Sequence, residues 1–270
     1  MMDVLDMAFF RNAFFMSVLL SFLFGLLSFF IVMRKMAFLG AGIAHTAFGG
    51  VALGILLGIH PFYTSLVFCA LSALLIGRLV RTGNLSYDTG IGIFFSFAMA
   101  LGAVFIALKK AYTFDLSGYL FGNILGVSWT DLFLVLGTVL VFIPFFVLFF
   151  QKLLFMAFEE QVATVSGVNT HVLDSLLLIF LALIIVVSIK IVGIILVSAL
   201  VVLPASFGLL MSNNYRTVIA GSVVYTLVIM LGGLMLSYFL DLPTGATMVV
   251  LGTCLYFIAM MIGQVTQKRS

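Results

Sequence analysis

The chain has 270 residues, of which 64% are hydrophobic and only 8% are charged. Because a soluble domain carries about 25% charged residues, this composition excludes an ordinary soluble protein and indicates one integral membrane domain over residues 1–270. The apolar runs lack the strand-like alternation of a transmembrane barrel. The net charge of +3 does not indicate nucleic-acid binding, since the lysines and arginines lie at the ends of the apolar runs.

Nine apolar segments follow one another along the chain, each close to the ~20 residues with which a helix crosses a membrane. They predict an all-α, polytopic helical membrane protein with about 8–9 transmembrane helices. The seventh segment fits a re-entrant or broken helix, because only Lys190 separates it from the sixth and Pro204 interrupts it. The segments are 8–33, 38–58, 61–80, 89–108, 131–150, 171–189, 191–211, 217–238 and 244–263.

Two connections predict short helical elements of their own. Residues 116–127 are apolar but too few to cross a membrane, which is typical of a half-helix that dips into the protein. Residues 158–168 predict a short amphipathic helix on the other side, with Gly167 available to end it. Ser128 and Asp131 have the spacing of a capping box at the start of the fifth segment.

His171 and Asp174 lie three residues apart at the start of the sixth segment. Such spacing is compatible with a metal-binding pair. We favour a helix start in contact with solvent, since charged residues at the end of a membrane span are ordinarily hydrated.

The distribution of basic residues predicts an orientation. Cytoplasmic loops are enriched in lysine and arginine, so the richer set marks the cytoplasmic side. We therefore expect the N-terminus outside and the C-terminus inside. The richer set is Arg34, Lys35, Arg78, Arg81, Lys152, Arg216, Lys268 and Arg269, and the opposite set is Arg11, Lys109, Lys110 and Lys190.

The second segment combines small residues with one histidine, His45. The small residues recur at every fourth position, so they are expected to form a stripe that lets a neighbouring helix approach closely. An ionisable group at this depth usually marks an ion or substrate path. His45 therefore either lines such a path or hydrogen-bonds across a helix contact. The small residues are Gly42, Thr46, Gly50, Gly54 and Gly58.

The sequence lacks the common catalytic motifs. It has no phosphate-binding loop of the form GxxxxGK[ST], no HExxH and no GxSxG. The whole chain contains nine acidic residues and three histidines. His45 has no obvious acidic partner at the same depth in the membrane. Transport is therefore favoured over catalysis, and the chain itself is not expected to be an enzyme.

Five groups of residues match the pattern of one known family. The five groups together identify that family more specifically than any single group does. With these residues the sequence resembles, from about residue 33 to residue 263, the membrane-spanning permease subunit of bacterial ABC importers for zinc, manganese and related divalent metals. The matching residues are Arg34, Gly40, His45 and Gly50; Asp88, Thr89, Gly90 and Gly92; Asp115, Leu116 and 120–125; Phe158, Glu159, Ala163 and Gly167; and Val192, Gly193, Leu196, Ala199, Leu200, Pro204 and Ala205.

Two positions depart from the family pattern. The acid that the family has four residues before the histidine is Ala41 here, and the family's proline is Gly49. The resemblance implicates the acid–histidine pair in metal passage. Without the carboxylate the manganese assignment is weaker, because hard ions favour oxygen ligands, and zinc, iron and nickel fit the histidine better.

The resemblance implies a transport machine of several chains. Two permease subunits, identical or different, would form a central path in the bacterial cytoplasmic membrane and its lipid. A cytoplasmic ABC ATPase dimer would hydrolyse ATP, and an extracytoplasmic metal-binding protein would deliver Zn²⁺ or another divalent metal as substrate. This chain would hold no cofactor of its own. A stand-alone secondary metal-ion carrier is the alternative.

The resemblance also implies roles for individual residues. His45 would line the translocation path, and Asp115 would attract ions or contact the delivery protein outside. Pro204 and the glycines at 42, 50, 54 and 58 would serve helix packing. The residues expected to couple the permease to the ATPase are Phe158, Glu159, Glu160, Ala163 and Gly167.

Overall fold

The computed structural model describes residues 8–83, 85–109, 122 and 124–267. Within these residues the chain forms helices and no strands. All the helices except α6 are long and apolar enough to cross a membrane, eight in number, which confirms the predicted polytopic all-α class. The helices are α1 (Ala8–Met33), α2 (Ala37–Leu57), α3 (Pro61–Gly83), α4 (Tyr87–Lys109), α5 (Trp129–Phe158), α6 (Glu160–Val165), α7 (Thr170–Met211), α8 (Tyr215–Leu240) and α9 (Thr244–Gln267), with a 3-10 turn at Ile124–Gly126.

Local capping chemistry sets several helix ends. At the start of α5 the Ser128 side chain accepts a bond from the Asp131 N–H while the Asp131 carboxylate accepts one from the Ser128 N–H, which confirms the predicted capping box. After α6, Gly167 adopts a left-handed φ of 84°, and the Val168 N–H bonds the carbonyl of Ala163 at 3.0 Å. The short helix predicted within 158–168 is therefore present.

Helix α7 contains a break at Gly193. It has 42 residues, and a straight helix of that number measures about 63 Å, twice the hydrocarbon thickness of about 30 Å. Gly193 has φ 78° and ψ 165°, angles that favour glycine. The helix continues through Pro204, so the prediction that proline interrupts this segment is wrong, and the interruption lies eleven residues earlier.

Contacts on either side of Gly193 show that α7 reverses direction. Asp174, near its start, pairs with Arg34 just beyond α1. Ala205 donates its N–H to the Ser28 hydroxyl at 2.9 Å, and Ser28 lies only about 9 Å from Arg34 along the axis of α1. In a straight α7, Ala205 would lie about 46 Å beyond Asp174. The second half of α7 therefore returns towards Arg34.

The bundle has two ends, which we call the Arg34 end and the Asp131 end. Lys190, just before the reversal, pairs with Asp131 at 2.6 Å, and Asn12 of α1 donates to the carbonyl of Val127 at 3.3 Å. With the halves of α7 counted separately, the described chain passes between the two ends nine times. This number matches the nine predicted segments and puts the start of α1 and the end of α9 at opposite ends.

Glycines of α2 allow two neighbouring helices to approach closely. A Cβ at Gly42 would lie 2.2 Å from Ile91 of α4, whereas one at Gly50 would lie 2.5 Å from the Ser65 Cα of α3. The two glycines face different helices because each step of four residues turns the helix by about 40°. The small residues therefore wind around α2, and the expectation of one narrow stripe is wrong.

The remaining packing positions behave differently from one another. Gly54 approaches Thr64 of α3 as predicted, with a Cβ position 2.3 Å from its hydroxyl oxygen. Gly58 has open space around it and ends α2 with a left-handed φ of 71°, so it is a helix cap and not a packing residue. Pro204 is buried in α7, next to the bond between Ala205 and Ser28.

The predicted half-helix at 116–127 lies mostly outside the described residues. Its described part includes the 3-10 turn Ile124–Gly126 and Val127, which contacts α1 through Asn12. Gly122 has a left-handed φ of 68°, and a Cβ there would lie 2.4 Å from the Gly193 nitrogen. Gly122 therefore packs against the reversal of α7.

Candidate functional site

His45 lies two turns into α2 on the contact with α4. Its ring meets the Phe95 ring edge-on, with centroids 5.1 Å apart and an interplanar angle of 86°. The imidazole has no hydrogen-bond partner among the described residues, so a hydrogen bond across a helix contact within one chain does not account for it. Ala41, one turn earlier, is half-buried like His45, and the two share the partly open face of α2.

His45 does not belong to a preformed metal site within the described part of the chain. Among residues 8–83, 85–109, 122 and 124–267, no three His, Cys, Asp or Glu side chains form a group able to hold a metal ion. Asp115, the second predicted site residue, lies outside the described residues. A complete site at His45 would therefore need ligands from another molecule or from water.

Asp174, at the Arg34 end, contacts three side chains from other helices or helix ends. Its side chain is 2% exposed, and its carboxylate pairs with Arg34 and accepts bonds from Arg81 at 2.7 Å and from the Tyr87 hydroxyl at 3.1 Å. With its oxygens so engaged, Asp174 is neither a metal ligand with His171 nor part of a hydrated helix start. Both interpretations are therefore wrong for Asp174, whereas His171 is exposed, as a solvated helix start predicts.

Arg34 extends this network to the short helix α6. Its side chain is only 4% exposed, and it pairs with Glu160 of α6 at 2.9 Å in addition to Asp174. Burial disfavours the charged guanidinium, but the contacts with Asp174, helped by Tyr87 and Glu160, outweigh burial, so the pKa of Arg34 lies above its usual value. We call Arg34, Arg81, Tyr87, Glu160 and Asp174 the Asp174 cluster.

Residues 158–168, which we call the docking segment, present an apolar surface beyond the bundle. Val165 is 90% exposed, and Phe158 and Val162 are about half exposed. Ala163 is fully buried and fixes α6 against the bundle. Of the other predicted coupling residues, Glu159, Glu160 and Gly167 are exposed. Exposed apolar side chains of this kind are typical of a surface that contacts a protein partner or the membrane.

The Asp131 end has a cavity of about 310 Å³, lined in part by His60, Tyr63, Asp131 and Lys190. The Asp131 carboxylate is already engaged by Lys190 at 2.6 Å and by its capping bonds to Ser128. Its acceptor atoms are thus occupied, so this cavity offers an ion one accessible imidazole, His60, and no free carboxylate among the described residues.

Comparison with known proteins identifies the family. A model of the ABC 3 transport family matches residues 6–263. The chain belongs to this family. The match includes α1 to α8 and most of α9, so the bundle described above is the fold of the family and not an appended domain.

Named relatives and a solved structure extend this comparison. The chain is 32% identical to the manganese transport system membrane protein MntC of Listeria monocytogenes over 96% of this chain and 92% of that protein. It is 30% identical to the high-affinity zinc uptake system membrane protein ZnuB of Haemophilus influenzae, over 90% and 93%. PsaBC from Streptococcus pneumoniae, solved in complex with Fab, matches at 31% identity with a TM-score of 0.83, covering 96% and 93% of the two chains.

The sequence analysis missed the Asp174 cluster. The sequence analysis used Arg34 as an orientation signal and a family match, Arg81 only as an orientation signal, and Asp174 only beside His171. A usable signal was present, because an acid and two arginines stand at the ends of apolar segments that must meet on one side of the bundle. Buried charges in membrane proteins pair with one another, and that rule pointed to this association.

Proposed function

We propose that the chain is the permease subunit of an ATP-binding-cassette importer that carries a divalent metal ion into the cytoplasm. The observation that carries this proposal is the family match over residues 6–263. It is supported by relatives named for manganese and zinc transport with near-complete coverage of both chains.

His45 is the proposed ligand in the translocation path. It is an unbonded imidazole on a half-open face of α2, and Ala41 supplies no carboxylate beside it. Imidazole suits zinc, iron and nickel, whereas manganese prefers oxygen. We therefore put Zn²⁺ first as the substrate and keep manganese, iron and nickel as alternatives. In a two-fold pair of subunits, two such histidines would face a shared path.

The docking segment is the proposed contact with a separate ATPase dimer. Its exposed Phe158, Val162 and Val165 lie at the Arg34 end, which carries the richer set of basic residues. By the positive-inside rule this end faces the cytoplasm. The N-terminus is then outside, where an extracytoplasmic metal-binding protein would deliver the ion. Asp115 remains the proposed outer residue for ion attraction or receptor contact.

The mechanism follows from how the docking segment is attached to the bundle. Closure of the ATPase pair on ATP would push on the exposed face of α6. Ala163, buried beneath that face, prevents α6 from moving without the helices around it. A rigid-body shift of these helices would open the path at one end and close it at the other.

The test of this proposal is metal uptake by proteoliposomes that contain the permease and its ATPase. We expect ATP-dependent uptake of zinc or another divalent metal by the unaltered chain. We expect His45→Ala to lose at least about 90% of it, since the loss of a residue that only orients a metal ligand already costs about 10–100-fold. His60→Ala, an exposed histidine outside the helices, is the matched control. Uptake that needs no ATP would indicate a secondary carrier, and full uptake with His45→Ala would remove His45 from the path.

A further inference from the structure

The Asp174 cluster joins four parts of the bundle at one buried carboxylate. Arg34 follows α1, Arg81 lies near the end of α3, Tyr87 begins α4 and Asp174 lies in the first turns of α7. The partners of Asp174 are 140, 93 and 87 residues away in sequence. A relative shift of any of these elements at this end would change the contacts of Asp174.

The cluster also connects the docking segment to the helix pair that carries His45. Glu160 on α6 binds Arg34, Arg34 binds Asp174, and Asp174 binds Tyr87. Tyr87 is the first residue of α4, and Phe95, about 12 Å further along that helix, contacts the His45 ring. Each step in this chain of contacts is a hydrogen bond, an ion pair, a rigid helix or a ring contact.

The two halves of the cluster differ in exposure. Asp174 and Arg34 are almost fully buried, whereas the Glu160 side chain is 52% exposed. An exposed ion pair contributes little to folding stability. The Arg34–Glu160 contact is therefore poorly explained as a stabiliser of the fold, but it is well placed to hold α6 to the bundle during a movement of the docking segment.

We propose that Asp174 and Arg34 are positioning residues that transmit movement of the docking segment, through Glu160, to α4 and the His45 face. This inference rests on the proposed function for its ATPase partner but not for the identity of the metal. It goes beyond that function because it assigns the mechanical connection between the docking surface and the path to a particular charged cluster.

The test uses the permease–ATPase complex in nanodiscs, with Ala41→Cys as a reporter beside His45 and with Cys69 and Cys254 replaced by alanine. The rate of maleimide labelling at position 41 is measured with and without ATP and vanadate. We expect the nucleotide-dependent change in this rate to fall about fivefold or more with Glu160→Gln and to disappear with Asp174→Asn. The labelling rates of all variants are compared at equal ATPase content, which is measured by co-purification.

The matched control is Asp241→Asn, an exposed acid in a left-handed conformation that asparagine also adopts. Because Glu160→Gln removes only an exposed pair, its outcome decides the proposal even if Asp174→Asn fails to fold. A full-sized labelling change with Glu160→Gln overturns the proposal, and so does the absence of any nucleotide-dependent change in the unaltered complex. A normal labelling change without metal uptake would contradict the metal assignment and leave the transmission proposal supported.

Discussion

The Arg34 end and the middle of the bundle are held together by different kinds of interaction. At the Arg34 end, charged side chains from distant parts of the sequence meet at Asp174. In the middle, α2 contacts α3 and α4 through glycines that leave no room for a Cβ. Close packing gives each helix pair one arrangement, whereas an ionic cluster has alternative pairings of similar chemistry. On the proposed function, the middle would keep the path in shape and movement would begin at the Arg34 end.

Removal of the Asp174 charge is expected to cause the largest loss of folding stability. Asp174→Ala leaves the buried Arg34 without one carboxylate partner and Arg81 without its only one among the described residues. Breaking a buried pair in this way costs about 3–5 kcal/mol. We expect a loss of that size in the free energy of unfolding, measured by SDS titration of the purified chain.

Glu160→Gln is the matched control for this measurement, since it removes an exposed pair whose loss costs less than about 1 kcal/mol. Equal losses for the two variants would mean that burial does not distinguish the two contacts. The proposed separation between a stabilising core of the cluster and its mobile edge would then be wrong.

Addition of a methyl group in the middle of α2, by a glycine-to-alanine substitution, is expected to cause the second largest loss of folding stability. In Gly50→Ala the new Cβ meets the Ser65 Cα, which is backbone, whereas in Gly42→Ala it meets the Ile91 Cγ2, the end of a side chain. We expect Gly50→Ala to cost about 1–3 kcal/mol of unfolding free energy and Gly42→Ala to cost less. Gly137→Ala in α5, where a Cβ has open space, is the control and is expected to stabilise by up to about 1 kcal/mol. A neutral Gly50→Ala would show that the middle tolerates rearrangement.

The smallest expected loss of folding stability follows removal of one neutral hydrogen bond between α1 and α7. Ser28→Ala removes the acceptor of the Ala205 N–H in α7, and such bonds in membrane bundles contribute about 0.5–1 kcal/mol. Ser21→Ala is the control, because that buried hydroxyl bonds a carbonyl of its own helix. If Ser28→Ala costs as much as Asp174→Ala, charge is not what sets the Arg34 end apart.

Short-range chemistry was readable from the sequence. The apolar segments, the capping box of Ser128 and Asp131, and the glycine-ended helix at 158–168 each depend on residues within a few positions of one another, and all of them are present. The glycine positions on α2 were also readable, but which helix each glycine faces was not. That choice depends on where α3 and α4 lie around α2.

The sequence by itself determined that this is a bundle of membrane-crossing helices, because the run of apolar residues leaves a membrane-spanning helix as the only stable choice for each segment. Only the tertiary structure decided that α7 reverses at Gly193, that Gly58 is a cap, and that Asp174 is a buried carboxylate shared by several helices. The physical reason is the range of the interactions. Helix formation is settled between neighbours in sequence, whereas the pairing of one carboxylate with two arginines, 93 and 140 residues away, is settled only when the helices have packed.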